Sequence, residues 1–161
     1  MKKKNLMKSL TALVLSVLMV LSLAACGAKP SDGGKDEDKD GYTVAIIKQM
    51  DHASLDEIAD AIAARLDAIA QEQNVSIRYT ITSGQGDQSV LKQLADQAVA
   101  DQVDAIIPIA TTAAQVSAVA AEDSRTPVVY AAISDPDTAK LTGIDYVTGT
   151  SDALNTDFIM D

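Results

Sequence analysis

From Tyr42 onward, short apolar runs alternate with longer amphipathic stretches. Three of the runs are continuous, at residues 44–47, 105–107 and 128–133, which is typical of strands in a parallel sheet covered on both faces. A fourth segment, residues 75–81, alternates strictly between apolar and polar positions, so one of its faces is expected to meet water. We therefore predict four strands, with the alternating one at the edge of the sheet.

Three amphipathic stretches after the first three strands predict helices. Ser54 followed by Glu57 predicts a capping box at the start of the first, and Thr112 followed by Gln115 predicts another at the start of the third. Asp87 is the predicted cap of the second. The apolar positions that share one side of each helix are Leu55, Ile58, Ala59, Ile62, Leu66 and Ile69, then Leu91, Leu94, Ala95 and Ala98, then Val116, Val119 and Ala120.

This alternation of strands and helices predicts an α/β fold, an open parallel sheet with helices on both faces. Pro108 counts mildly against a central third strand, because proline cannot donate to the ladder, but it is tolerable at a strand terminus. The folded part, residues 42–161, is about 120 residues long and large enough for one domain with its own core.

The first 25 residues read as a leader rather than as part of the fold. Four lysines precede an apolar run at residues 10–23, and Ala24 and Ala25 precede Cys26, the only cysteine of the chain. This arrangement resembles the lipobox of bacterial lipoproteins, which implies cleavage before Cys26 and lipidation of its sulfur. The protein is then held on the extracytoplasmic side of the cell membrane by its acyl chains. The alternative is an uncleaved membrane helix over the uncharged residues 9–28, which Thr11, Ser16 and Ser22 interrupt.

Charge narrows the range of partners. Removing the four leader lysines from a formal charge of −10 leaves about −14, and an acidic body of this kind repels nucleic acid. Residues 26–41 are charged and glycine-rich, so we predict a tether there. A single cysteine also rules out an intramolecular disulfide.

Polar residues follow each predicted strand, at the edge where open parallel sheets bind ligands. Each group has a plainer interpretation. Thr111 and Thr112 suit a helix cap, Asp135 before Pro136 suits a turn, and the only histidine, His52, suits a solvated loop. Gly84 and Gly86 lack the third glycine of a dinucleotide-binding loop, so we interpret residues 83–87 as a turn.

Signs of catalysis are few. No second histidine or cysteine is present to build a metal site or a Cys-His pair, and no phosphate-binding loop or nucleophile elbow appears. We predict no enzymatic activity, no cofactor and no metal. A mechanism that uses only the carboxylates of Asp51, Asp87 and Asp135 is the remaining enzymatic alternative.

Five motifs in this order resemble the lipoprotein substrate-binding components of ABC importers, of the type associated with tryptophan and tyrosine. They are Val44-Ala45-Ile46-Ile47 leading to Asp51-His52, Gly86-Asp87-Gln88-Ser89, Asp104-Ala105-Ile106-Ile107 leading to Ala110-Thr111-Thr112-Ala113-Ala114-Gln115, Ala131-Ala132-Ile133-Ser134-Asp135-Pro136, and Thr148-Gly149-Thr150-Ser151-Asp152-Ala153-Leu154.

The resemblance implies one lobe of a type I periplasmic-binding-protein fold, with strand order 2-1-3-4. It also implies that the protein binds a small organic solute, such as an amino acid and in particular an aromatic one, and that its protein partner is an ABC permease. Proteins of this family are about twice as long, so residues 42–161 correspond to the N-terminal lobe of a fragment or truncated product. An alternative function is a surface-anchored lipoprotein that contacts a protein partner and binds no solute. The ligand contacts that the resemblance implies are Gln49, Asp51, His52, Thr111, Thr112, Ser134, Asp135, Ser151 and Asp152.

Overall fold

The computed structural model describes residues 41–152. The predicted signal peptide, the lipidation site Cys26, the tether up to residue 40 and residues 153–161 lie outside the described residues. The described part contains, in chain order, β1 (Gly41–Lys48), α1 (Ala53–Gln73), β2 (Ser76–Ser83), α2 (Gln88–Ala100), β3 (Ala105–Ile109), α3 (Thr111–Ala120), β4 (Val128–Ile133) and β5 (Val147–Ser151).

The five strands form one sheet in the order β2-β1-β3-β4-β5, and every neighbouring pair is parallel. The predicted α/β fold and the order of the first four strands are confirmed. The predicted exposure of the second strand is also confirmed, because β2 lies at one edge and its side chains alternate between exposed and half-buried from Ser76 to Thr80.

The strand β5 was not predicted. It pairs with β4 from Val128 opposite Val147 to Ile133 opposite Ser151, with an irregular register between Tyr130 and Ile133. The residues before β5 are anchored to α3 and its following turn. The Tyr146 hydroxyl donates to the Ala118 carbonyl oxygen at 3.0 Å, and the Arg125 guanidinium lies 4.9 Å from the centre of the Tyr146 ring.

Helices cover both faces of the sheet, as predicted. On one face, α1 packs Leu55, Ile58 and Ile62 against a cluster that contains Val44, Ile46, Ala59 and Ile109. On the other face, α2 and α3 pack against alternate residues of the same strands. That second cluster consists of Ala45, Ile47, Leu91, Ala95, Ala98, Ile106, Ala113, Ala121 and Val128. A third cluster joins α3 and β4 to Ala139 and Leu141 in the turn that follows β4.

Pro108 lies inside β3, opposite Ile47, and is fully buried. The Ile106 amide donates to the Pro127 carbonyl at 2.9 Å and the Ala110 amide donates to the Ala131 carbonyl at 3.0 Å. Since donors alternate along a strand, the nitrogen of Pro108 falls between these two on the β4 side of the ladder. The pairing of β3 with β4 therefore lacks one hydrogen bond at Pro108 but keeps the bonds on either side of it.

One of the three predicted helix caps is confirmed and two are wrong. The Asp87 carboxylate accepts from the Ser89 and Val90 amides at 2.7 and 3.3 Å, as predicted. The helix α1 is instead capped by His52, whose Nδ1 accepts from the Ser54 amide at 3.3 Å. The residue before α3 is Ala110, which offers no capping side chain, and no Thr112–Gln115 capping box forms.

Candidate functional site at the carboxyl edge of the sheet

All nine predicted site residues lie at the carboxyl edge of the parallel sheet. The register brings the strand ends level, because Lys48 is opposite both Ser83 and Ile109, and Ile133 is opposite Ser151. The segments that leave these strands therefore form one continuous rim. It carries Gln49, Asp51 and His52 after β1, Thr111 and Thr112 after β3, Ser134 and Asp135 after β4, and Ser151 and Asp152 at the end of β5.

Gln49 connects three parts of this rim. Its amide donates to the Ile109 carbonyl at 3.2 Å, and its carbonyl accepts from the Gly86 amide at 2.9 Å. Its side-chain Oε1 accepts from the Thr112 amide at 3.1 Å, which supplies the cap that α3 lacks from its own sequence. The structure thus brings Gln49 and Thr112 into direct contact.

The backbone before α3 is strained. Ala110 has φ 78° and ψ 163°, a region that residues other than glycine rarely adopt and that costs about 1–3 kcal/mol. Its conformation is held by the ladder bond to Ala131 and by the bond from the Ala114 amide to the Ala110 carbonyl at 3.1 Å. The strain occurs where Thr111 and Thr112 turn toward the rim. Strain of this kind is typical of positions that present groups for a function.

The other half of the rim joins β4 to β5. The Ser151 hydroxyl donates to the Ser134 carbonyl at 3.3 Å, and the Asp152 amide donates to the Ile133 carbonyl at 3.2 Å. Among the residues that the structure describes, no partner is recorded for the Asp152 carboxylate, which is exposed. Of the predicted acids, Asp152 is therefore the one whose carboxylate is available to a cationic group.

The Asp51 carboxylate is instead engaged with a lysine that was not among the predicted site residues. Lys48, at the end of β1, contacts Asp51 at 3.1 Å and also pairs with Asp56 of α1. The Lys48 ammonium and then the Ser83 hydroxyl hold the pKa of Asp51 below its usual range. The hydrogen bonds that the Lys48 ammonium donates to Asp56 and Asp51 raise the pKa of Lys48. Lys48 thus secures the segment between β1 and α1.

Asp135 is engaged in a turn, as its alternative interpretation predicted. Its carboxylate accepts from the Thr138 amide at 2.9 Å and from the Thr138 hydroxyl at 2.6 Å. The hydroxyl of Thr138, followed by its amide, lowers the pKa of Asp135. Asp51, Asp87 and Asp135, the three acids of the enzymatic alternative, each have a structural partner within the fold.

We expect acid to weaken the fold partly through Asp135. Because its pKa is lower in the folded chain, it stabilises the fold above about pH 4, and this contribution disappears as the pH falls through the folded value. Asp135→Asn keeps an acceptor for the Thr138 amide but does not titrate. Thermal unfolding between about pH 3 and 7 should therefore show a flatter acid limb for this variant than for the wild type. Asp123→Asn, at an exposed carboxylate with no recorded partner in residues 41–152, is the control and should leave the limb unchanged.

The remaining predicted residues keep hydrogen-bonding groups at the rim. His52 uses Nδ1 as an acceptor in its cap, which leaves Nε2 as a donor on an exposed side chain. No partner within the described residues is recorded for the hydroxyls of Thr111, Thr112 and Ser134. The rim therefore offers mainly neutral donors and acceptors, with the Asp152 carboxylate at one end.

Two grooves lie away from the rim. One of about 550 Å³ separates α2 from α3, and another of about 490 Å³ lies over β1 and β2 beside α2. None of the nine predicted residues lines either groove. In the part of the chain from 41 to 152, no group of three or more His, Cys, Asp or Glu side chains could hold a metal ion. Within the same part, no helix combines the length and hydrophobicity that crossing a membrane requires.

Comparison with protein families identifies the architecture. The family model described as ABC transporter substrate binding protein matches residues 43–158 of the sequence. This range includes the whole sheet from β1 to β5 except the first two residues of β1. The chain belongs to this family of substrate-binding proteins. The family that the five motifs resemble is thereby confirmed at the level of ABC substrate binding. A search of curated proteins found no match.

Three solved structures share the fold. A ligand-free, open substrate-binding protein with adhesive properties from Clostridium difficile, CD0873, has a TM-score of 0.64 at 26% identity and matches 72% of this chain and 40% of its own. A Streptococcus pneumoniae ABC domain in complex with L-Trp has a TM-score of 0.61 at 33% identity, with 70% and 39% coverage. A conserved domain protein from Vibrio cholerae has a TM-score of 0.64 at 24% identity, with 74% and 41% coverage.

The chain spans about two fifths of the length of each of these structures. The part they share with it is an α/β lobe whose sheet is fully parallel. The family match therefore assigns this lobe to the ABC transporter substrate-binding proteins. Open parallel sheets bind their ligands at the carboxyl ends of the strands, which is where the rim lies.

Proposed function

We propose that this chain forms the N-terminal lobe of an extracytoplasmic solute-binding lipoprotein that delivers a small organic solute to an ABC importer. The solute class that we propose is an amino acid, with aromatic amino acids as the first candidates. The observation that carries the proposal is the family match over residues 43–158. The complex of the Streptococcus pneumoniae protein with L-Trp, at 33% identity, supports the solute class.

The polar groups of the rim suit an amino acid. The Asp152 carboxylate provides a partner for an ammonium, and charged hydrogen bonds of this kind are stronger than neutral ones. The donors of the rim, among them Gln49 and His52, suit the ligand carboxylate. We propose that Gln49, Asp51, His52, Thr111, Thr112, Ser134, Asp135, Ser151 and Asp152 line the ligand site, with Asp51 and Asp135 acting through the turns that they hold rather than by direct contact.

We propose that the lobe is anchored to the membrane through lipid on Cys26, with an ABC permease as its protein partner. The leader before Cys26 supports this, as does the acidic, glycine-rich segment that follows it. Two acyl chains hold a protein stably where one chain is marginal. Cys26→Ala should release the protein from the membrane fraction, and radiolabelled palmitate should be absent from that variant.

A single lobe offers only one wall of a clamp. Binding sites for small molecules bury most of the ligand surface, and closure of two lobes around a hinge supplies much of that burial. For L-tryptophan we therefore expect binding in the high-micromolar to millimolar range, visible by NMR at about 10 mM ligand and too weak for calorimetry. Shifts should concentrate in the amides of the rim.

Two results would contradict this expectation in different ways. A submicromolar dissociation constant would overturn the single-wall site and leave the solute-binding function intact. The absence of any shift with each aromatic amino acid at about 10 mM would overturn the proposed solute class. Glycine is the control ligand, because it carries the same ammonium and carboxylate without a ring, and it should shift the same amides less.

One observation favours a second candidate, a surface-anchored lipoprotein that contacts a protein partner. The Clostridium difficile structure is described as having adhesive properties. The two candidates differ in their gene neighbours, because an importer component is expected beside genes for a permease and an ATPase. A locus without either gene would favour the second candidate.

A further inference from the structure

Gln49 is the residue at which the three segments leaving β1, β2 and β3 meet. Its backbone is held on both sides, by Ile109 at the end of β3 and by Gly86 in the turn before α2. Its side chain is held as well, through the bond from the Thr112 amide to Oε1 at 3.1 Å. All three partners are more than 30 residues away in sequence, so this one residue links three rim segments.

The bond to Thr112 also decides which way the side-chain amide faces. A backbone N–H can only donate, so the atom that accepts from Thr112 must be the carbonyl oxygen Oε1. The NH₂ group is then the remaining half of the amide. No partner is recorded for Nε2 within residues 41–152, and the side chain is half-buried. A half-buried donor without a protein partner is available to an acceptor on a ligand.

We propose that Gln49 is a positioning and specificity residue: its Oε1 holds the start of α3 in register with β1, and this bond orients Nε2 as a donor that selects ligands with a carboxylate. The specificity role rests on the proposed function, because it needs a ligand. The positioning role does not depend on the proposed function. The two roles use different atoms of one amide, so substitutions can separate them.

Gln49→Glu separates the roles because a carboxylate still accepts from the Thr112 amide but has no N–H to donate. We expect hydrogen exchange of the Thr112 amide to stay within about twofold of the wild type, because that bond is retained. Affinity for L-tryptophan should fall at least tenfold, because a negative oxygen replaces the donor that faces the ligand carboxylate. Gln49→Met, of similar size with neither group, should accelerate Thr112 exchange at least tenfold and also weaken L-tryptophan.

Tryptamine provides the matched ligand, because it has the ring and ammonium of tryptophan without the carboxylate. Binding of tryptamine should be unchanged or tighter in Gln49→Glu. Gln93→Glu introduces the same charge on the exposed side of α2 and is the control variant, which should leave both ligands and Thr112 exchange unchanged. NMR titration of the purified chain at millimolar ligand measures affinity and exchange on the same sample.

Each outcome decides one part of the inference. Unchanged L-tryptophan affinity in Gln49→Glu, or equal losses for both ligands, would overturn the specificity role. Unchanged Thr112 exchange in Gln49→Met would overturn the positioning role. If the wild type binds neither ligand, the proposed function fails and the specificity role fails with it, while the exchange measurement still decides the positioning role.

Discussion

Gly149→Ala is expected to lower the free energy of unfolding by about 3 kcal/mol. A Cβ added at Gly149 would lie closer than 3.0 Å to the carbonyl oxygen and the ring of Tyr130 in the neighbouring strand. A backbone oxygen inside a ladder cannot rotate away as a flexible side chain can, so β5 must move off β4. The glycine of the Thr148-Gly149-Thr150 motif is thus explained by close approach of two strands.

Local measurements should show where this energy is lost. The Asp152 amide, which donates to the Ile133 carbonyl, and the Val128 amide, which donates to the Tyr146 carbonyl, should exchange faster in Gly149→Ala. Gly41→Ala is the matched control in the same sheet, because the atoms nearest to its added Cβ would belong to Ser76, at 3.3 Å or more. Urea unfolding of the two variants gives the comparison. Equal stability of Gly149→Ala and Gly41→Ala would contradict the close-approach explanation.

Gly84→Ala is expected to lower the free energy of unfolding by about 2 kcal/mol. Gly84 is buried in the turn before α2, and a Cβ there would overlap the side chain of Leu91 at less than 3.0 Å. Leu91 is only 1% exposed and belongs to the core beneath α2, so it has little room to shift. The turn carries the Gly86 amide that binds Gln49, so the same substitution should also disturb the rim.

A double-mutant cycle tests whether the overlap with Leu91 is the cause. Leu91→Ala alone should destabilise by about 2–5 kcal/mol, because it leaves a cavity in the core. In the Gly84→Ala background the added methyl occupies part of that space. The double variant should therefore be destabilised by about 1 kcal/mol or more less than the sum of the two single variants. Strict additivity in urea unfolding would show that Gly84 is required for another reason.

The sequence identified the parts of the fold whose burial follows a period. Residues 44–47 are apolar without interruption because both faces of that strand are covered by helices. The equally apolar residues 128–133 predicted the same cover for β4, but Val129 on its other face is 38% exposed. Residues 75–81 alternate because β2 is an edge strand with one exposed face. The turn at residues 83–87 and the Asp87 cap could also be predicted from the sequence. Both depend on local backbone, because Gly86 adopts a positive φ and the Asp87 carboxylate accepts from an amide two residues away.

The strand β5 had no such signal. Its five residues, Val147–Ser151, include one sizeable apolar side chain, and four of the five are exposed. Its position depends on pairing with β4 and on the Tyr146 anchor, which are contacts over 17 or more residues. A strand that buries little surface leaves no hydrophobic period in the sequence, so only the assembled sheet reveals it.

The site divides in the same way. The sequence alone determined that polar residues gather where the strands end, because parallel strands bring their carboxyl ends to one edge. Only the tertiary structure decided that Gln49 caps α3 across 63 residues and that the Ser151 hydroxyl donates to the Ser134 carbonyl across 17 residues. Hydrophobic burial is repeated along a segment and is therefore encoded locally. A single hydrogen bond between distant segments has no period, and its partners are set only when the core brings them within 3 Å or so.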